Sequence, residues 1–265
     1  MDVTKLSKDS NKVHQRTERR FLKTENIEAA AQKGSSRLVS KILSPAVQLW
    51  LRSQLQNVEY LQVKIEGSDR QLLTGSIPRV SLIARAAIYE GLHLTEVKAT
   101  ATDININLGQ VLRGESLRIL APFQINCELQ LAEAHLNASF DSPLLEVAVI
   151  DFLTQLLPLE EPNVQLALPI NLNEPRIVIN SGSLTLLATL SSPNCSPISL
   201  LMRTGIQLTS PRELLFQILE WKLSSLEKSL PAKTIEMDLG SEVEIEQLTL
   251  TPGKIFAKGK LTVRP

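Results

Sequence analysis

Several stretches of the chain alternate apolar and polar residues with a strict period of two, and this alternation constrains the fold more than any other feature. Leu61, Val63 and Ile65 alternate with Gln62, Lys64 and Glu66, and Ile104, Ile106 and Leu108 alternate with Asp103, Asn105 and Asn107. The run from Phe123 to Leu131 does the same, as does Val164, Leu166, Leu168, Ile170, Leu172. Successive side chains of a strand point to opposite faces, so each segment reads as an antiparallel strand with one buried and one solvated face. Pro169 places the last of these at a sheet edge. Ile177–Ile179, Leu184–Leu190 and Ile198–Leu208 are further strand candidates. The chain closes on a predicted hairpin, Val243–Leu250 and Ile255–Val263, around a Thr-Pro-Gly-Lys turn.

Three segments carry a helical period instead. Ile42, Leu43, Ala46, Val47, Trp50, Leu51 and Leu55 predict a helix over residues 40–55. Ser142-Pro143 supplies an N-cap and a first-turn proline for a helix to Leu157, apolar on most of its circumference. Such a helix is expected to be covered on nearly all sides. Ser210-Pro211 repeats the device before a second apolar helix through Leu226, carrying Leu214, Leu215, Ile218, Trp221 and Leu223. The expected fold is therefore α+β and mostly antiparallel β, with a curved tubular or barrel-like sheet wrapped on long apolar helices.

Charge divides the chain in two. Residues 1–52 carry eleven basic and five acidic side chains, a net +6 that the remainder balances to a formal total of +0. Residues 1–36 are polar and lack strand or helix periodicity, so they read as a basic, largely disordered arm ahead of one folded domain over 37–265. Lys12, Arg16, Arg19 and Arg20 in that arm suit an anionic membrane surface, with Trp50 as an interfacial anchor. A core position suits Trp50 equally, since it sits on the apolar stripe. No apolar stretch follows the N-terminal charges, and no window approaches the ~18 apolar residues of a membrane span. The expected place is cytoplasmic, peripheral to a membrane.

Catalytic signatures are absent from the sequence. Gly-x-Ser-x-Gly, His-Glu-x-x-His, the phosphate-binding Gly-rich loops and paired Cys-x-x-Cys do not occur. His14, His93 and His135 are far apart, and no metal-ligand spacing is present. These absences argue against an enzyme and predict neither metal nor cofactor. The arm has basic charge but only Phe21 as an aromatic, and the body is acidic, so nucleic acid is not an expected partner. Aromatics make up only 4% of the chain, so its interior is aliphatic. That composition suits a hydrocarbon ligand or a close-packed core.

Four longer stretches are distinctive. They are Glu90-Gly-Leu-His-Leu-Thr-Glu-Val, Ile104-Asn-Ile-Asn-Leu-Gly-Gln-Val-Leu-Arg-Gly114, Leu131-Ala-Glu-Ala-His-Leu-Asn-Ala-Ser-Phe-Asp-Ser-Pro-Leu-Leu145 and Asp238-Leu-Gly-Ser-Glu-Val-Glu-Ile-Glu-Gln-Leu-Thr-Leu250. Together, from about Ile42 onward, they resemble the bacterial LmeA-like phospholipid-binding family. The resemblance implies a phospholipid ligand and a tubular, β-rich body with an elongated apolar cavity. It also implies an envelope role in lipoglycan maturation, from which this chain departs in the polar character of its first forty residues.

Residue expectations follow from that resemblance and from the apolar pattern. Ile104, Ile106, Leu108, Val111 and Leu112 on the strand side are expected to line the cavity, with Leu144, Leu145, Val149, Phe152, Leu153 and Leu156 on the helix. Arg113 and Arg118, which flank Gly114-Glu115-Ser116, are candidates for an anionic headgroup, although an exposed loop with solvated arginines has the same sequence. The functional expectation is non-catalytic phospholipid binding, extending to lipid transfer at a membrane surface. A protein-interaction module without lipid cargo is the alternative.

Overall fold

The structure, a computed structural model, describes residues 44, 47–49, 51–111, 113, 115–116, 118–156, 169–193, 195–224 and 233–265. The arm over 1–36, Trp50, Leu112 and the Val164–Leu168 part of the expected strand lie outside the described residues.

Among the described residues the strands form two antiparallel sheets. The first has the order β1 (Asn57–Glu66), β2 (Ser76–Tyr89), β3 (Leu92–Asn105), β4 (Phe123–Ala132), β11 (Lys254–Val263), β10 (Val243–Thr251). The second runs β5 (Asn171–Asn180), β6 (Ser183–Ser191), β7 (Ile198–Ser210), β8 (Glu213–Leu223), β9 (Thr234–Asp238). Short helices α1 (Asp69–Leu73), α2 (Leu108–Val111) and α3 (Glu133–Ala138) fill connections, and α4 (Pro143–Leu156) is the longest described helix. Residues 47–49 and 51–54 are helical, as their period predicts.

Neither sheet closes on itself among the described residues, so the expected barrel-like tube is replaced by two open sheets. The second long helix is replaced too. Residues 211–226 were expected to be helical, but β7 turns at Pro211-Arg212 and returns as β8. A β-bulge explains the misleading period. The register shifts between the Arg203–Glu220 and Thr204–Ile218 pairs, and the extra residue separates the inward-facing Ile218 and Trp221 by three positions. Three is also a helical spacing, so a bulged strand imitates a helix in the sequence. The alternation at Ile104, Ile106 and Leu108 does not persist as a strand either. β3 stops at Asn105, Ile106 makes an isolated bridge to Ile119, and Leu108 opens α2.

Open sheets have edges, and side chains cover two of them. Along β1, the Gln48 side-chain amide donates to the Leu61 carbonyl at 2.7 Å and the Ser44 hydroxyl accepts the Ile65 N–H at 3.3 Å. Along β5, Asn137 of α3 makes a two-point match to the backbone of one residue: its Oδ1 accepts the Ile177 N–H at 2.7 Å and its Nδ2 donates to the Ile177 carbonyl at 2.8 Å. One turn back on α3, the Glu133 carboxylate accepts the Ile179 N–H at 2.8 Å. Positions 133 and 137 share a helix face, so a six-residue helix suffices to satisfy the edge. β5 also bulges between Asn173 and Arg176, around Pro175, which has no N–H to offer a neighbouring strand.

Two apolar clusters hold the sheets. One joins β1, β2 and β3 to α1, with Leu61, Val63, Ile65, Leu72 and Ile77 buried at its centre and Val47 and Leu51 packed against it. The other lies between the second sheet and α4, and includes Leu190, Leu200, Ile218, Trp221 and Leu223. Leu248 and Ile255 of the first sheet pack against it, and the Gly253 N–H bonds to the Ile179 carbonyl, so the β10–β11 hairpin bridges the two sheets. The outward face of the first sheet is solvated. There Glu96 bonds Arg85 at 2.8 Å across the strands, and Lys98 and Arg85 hold its carboxyl below the usual carboxylate range.

A two-residue turn fixes where α4 starts. Glu90 and Gly91 join β2 to β3 with φ of 48° and 79°, the pair of left-handed conformations of a hairpin turn. The buried Ser142 hydroxyl donates to the Glu90 carbonyl at 2.7 Å, while its own carbonyl accepts the Glu146 N–H of the first helical turn. A Cβ at Gly91 would sit 2.9 Å from Ser142 Cα. Gly91→Ala therefore meets both a left-handed backbone and a steric clash with backbone, and is expected to cost about 2–3 kcal/mol. Urea titration of the variant is the check, and an unchanged midpoint would refute the docking role given to this turn.

Candidate functional site

An apolar pocket of about 260 Å3 lies between α4 and the inward face of the second sheet. Leu145, Ala148, Val149 and Phe152 of α4 form one wall. The opposite wall comes from alternate residues of neighbouring strands: Leu184 and Leu186 of β6, then Met202, Thr204 and Ile206 of β7. Phe216, Met237, Ile177, Ile255 and Leu136 complete it. The period-two geometry of strands explains why every second residue of β6 and β7 appears in the lining.

Exposure grades along this wall. Met202 is 4% exposed and Thr204 5%, while Ile206 and Phe216 are half-buried and Met237 of β9 is 37% exposed. The pocket thus opens toward β9 and the exposed Ala148. Phe152 and Phe216 meet across it with ring centroids 5.1 Å apart. Lys233, just ahead of β9, donates to the Gln155 carbonyl at 2.7 Å and ties the last turn of α4 to the start of that strand.

The pocket is short and open, in contrast to the expected elongated tube. Among the described residues the helix is covered on one side only. Leu144 is 50% exposed and Val147 57%, because α4 lies over an open sheet face and no described residue forms a second layer outside it. Leu144, Val147 and Ala148 fall on one helix face and make an apolar strip beside the pocket opening.

The residues expected to line a cavity are divided by the fold. Leu145, Val149 and Phe152 line the pocket, while Leu153 and Leu156 pack into the core beneath it and Leu144 faces solvent. Ile104 and Ile106 belong to the other apolar cluster, Leu108 is buried, and Val111 is half-buried in α2. Arg113 and Arg118 are exposed in the β3–β4 connection, which Asn107 organises by accepting the Arg118 N–H at 2.7 Å and donating to the Ser116 carbonyl at 3.0 Å. That connection is at the far end of the β2–β3 hairpin from the turn that docks α4. Fourteen-residue strands separate the two by roughly 40 Å.

Of the lining residues, sequence reasoning singled out only Leu145, Val149 and Phe152, and it missed the rest, Met202, Thr204, Phe216 and Met237 among them. The alternation Leu200, Met202, Thr204, Ile206 was visible, but its partner strand carried a helical period. Two buried polar side-chain atoms among the described residues have no hydrogen-bond partner, Thr204 Oγ1 and Trp221 Nε1. Both belong to inward-facing residues of the β7–β8 pair.

Other polar groups have structural employment. His135 Nδ1 lies 2.8 Å from Thr95 Oγ1, which also accepts the Ala132 N–H, and Ser139 accepts the His93 N–H while donating to the His135 carbonyl. This knot fastens α3 to β3. Burial, reinforced by the Glu128 charge, pushes the Cys127 thiol up from its ordinary range, away from nucleophilic character. Among the described residues no group of three His, Cys, Asp or Glu side chains could hold a metal ion, and no helix is long and apolar enough to cross a membrane.

No curated protein and no solved structure matches the chain. A family model described as LmeA-like phospholipid-binding matches residues 34–260. The match takes in both sheets, α4 and the pocket between them, and on that extent the chain belongs to the LmeA-like phospholipid-binding family.

Proposed function

We propose that the protein binds a phospholipid without chemically altering it, holding an acyl chain in the pocket between α4 and the second sheet, and exchanges that lipid with a membrane surface. The observation that carries this reading is an apolar pocket, opening beside an exposed apolar helix strip, in a chain of a phospholipid-binding family. The pocket is slightly smaller than the ~300–1,000 Å3 of typical small-molecule sites, so it takes part of one chain and leaves the headgroup outside. Each buried CH2 contributes about 0.8 kcal/mol relative to water and close to nothing relative to bilayer. Exchange with a membrane is then close to balanced, as a carrier requires.

The apolar strip of Leu144, Val147 and Ala148 rests on the bilayer interface and brings the pocket opening to the lipid. The basic arm, with Lys12, Arg16, Arg19 and Arg20, adds about 1 kcal/mol for each charge near an anionic surface, and salt weakens it. Arg113 and Arg118 lie in the β3–β4 connection and are not among the residues that line the pocket. Their place in this reading is contact with anionic headgroups of the surrounding surface.

The experiment is native mass spectrometry of the full chain purified without detergent, before and after incubation with phosphatidylglycerol vesicles. A stoichiometric lipid adduct is the expected result. Protein that arrives empty and stays empty would move the reading to an interaction module without lipid cargo. Sedimentation with the same vesicles, at rising salt and with residues 1–36 removed, reads the arm separately. Undiminished, salt-independent binding would refute its part.

A further inference from the structure

The pocket is lined almost entirely by hydrocarbon, yet one of its lining residues carries a hydroxyl. Thr204 lines the pocket, is 5% exposed, and its Oγ1 has no hydrogen-bond partner. Buried hydroxyls are nearly always bonded, so an orphan of this kind calls for a partner that arrives from elsewhere. Water is a poor candidate for that partner. A buried water needs two to four polar neighbours, and the other lining side chains, from Leu136 to Ile255, offer hydrocarbon or thioether.

We propose that the Thr204 hydroxyl donates a hydrogen bond to the ester carbonyl of the bound acyl chain, so that the pocket discriminates ester-linked from ether-linked lipids. This deepens the lipid-binding reading and rests on it. The depth of Thr204 fits that group. Along β7 the half-buried Ile206 lies two residues toward the opening and the buried Met202 two residues inward, each step roughly 6.6 Å. An ester at Thr204 leaves the headgroup outside the rim and sends the chain over Met202 and Leu186. The carbonyl is the acceptor nearest the hydrocarbon in a glycerolipid, whereas an ether lipid has no carbonyl there and presents a weaker acceptor. The hydroxyl supplies the one proton the carbonyl needs.

The test offers the full chain vesicles made from equal amounts of dioleoyl phosphatidylglycerol and its dioleyl ether analogue, which share headgroup and chain length. Native mass spectrometry counts each bound lipid. The wild type is expected to carry the ester lipid in roughly two- to tenfold excess, the range of one neutral hydrogen bond. Thr204→Val, which keeps the shape and removes the hydroxyl, is expected to load lipid with no preference. Thr204→Ser, which keeps the hydroxyl, is expected to retain the preference, and this separates the hydrogen bond from any packing effect. Equal loading of both lipids by the wild type, or a preference that survives in Thr204→Val, would overturn the assignment of Thr204 and leave lipid binding standing. A wild type that takes up neither lipid would overturn the lipid-binding reading and this inference with it.

Discussion

Ala148→Glu is expected to lower lipid uptake at least tenfold while leaving the fold intact. Ala148 is exposed on α4 and at the same time lines the pocket, so it is one of few positions where the site can be altered without touching the core. Glutamate is nearly as good a helix former as alanine, and an exposed helix position tolerates it at a cost of a few tenths of a kcal/mol. In the free protein its carboxylate is hydrated through the open side. An acyl chain that enters the pocket must strip part of that water and pack hydrocarbon against a charge, which is unfavourable by well over the ~1.4 kcal/mol that corresponds to tenfold. Native mass spectrometry after vesicle incubation reads the loss, and circular dichroism with a thermal melt shows that structure and melting temperature stay within a few degrees of wild type. Undiminished uptake by a folded variant would place the lipid somewhere other than this pocket.

Asn137→Ala is expected to give the largest loss of stability among substitutions that remove no core hydrocarbon, about 2–4 kcal/mol. The Asn137 amide serves both the N–H and the carbonyl of Ile177, and alanine leaves the two backbone groups without their partner at a part-buried edge. Each such group costs roughly 1–3 kcal/mol where water does not reach it. For a protein of this length the melting temperature is expected to fall by roughly 5–15 °C. The uncovered β5 edge also becomes free to pair with another chain, so the variant should aggregate faster on heating. A variant that melts within 2 °C of wild type would show that water or a strand neighbour already serves Ile177, and the edge-covering role of α3 would fall.

The edge contacts show where sequence reading runs out. Glu133 and Asn137 stand in one of the stretches on which the sequence resemblance rests, Leu131 to Leu145, but no rule of composition or period says that a side-chain amide will match the N–H and carbonyl of one residue forty positions away. The same holds for Glu90-Gly91. The dipeptide suggests a turn, and only the placement of Ser142 against it explains why glycine is needed. Met202, Thr204 and Ile206 were legible as one face of a strand, yet what that face meets depends on α4 crossing the sheet. The Thr204 hydroxyl is unpartnered for a reason that exists only in three dimensions.

By itself the sequence determined the periods, and through them most of the strands, the α4 helix, the absence of catalytic spacing and the family. Those properties are local: alternation, caps and motif order are set within a few residues and survive any arrangement of the elements. Tertiary structure decided the rest. It turned the helical spacing of Ile218 and Trp221 into a bulged strand, because a strand placed between β7 and β9 pairs the backbone groups of both, which a helix bonded within itself would leave as open edges. It left the sheets open, with α4 covering one face of the second sheet, and the apolar period alone could not say on which side a helix would lack a partner. The pocket is the space left where those non-local choices meet.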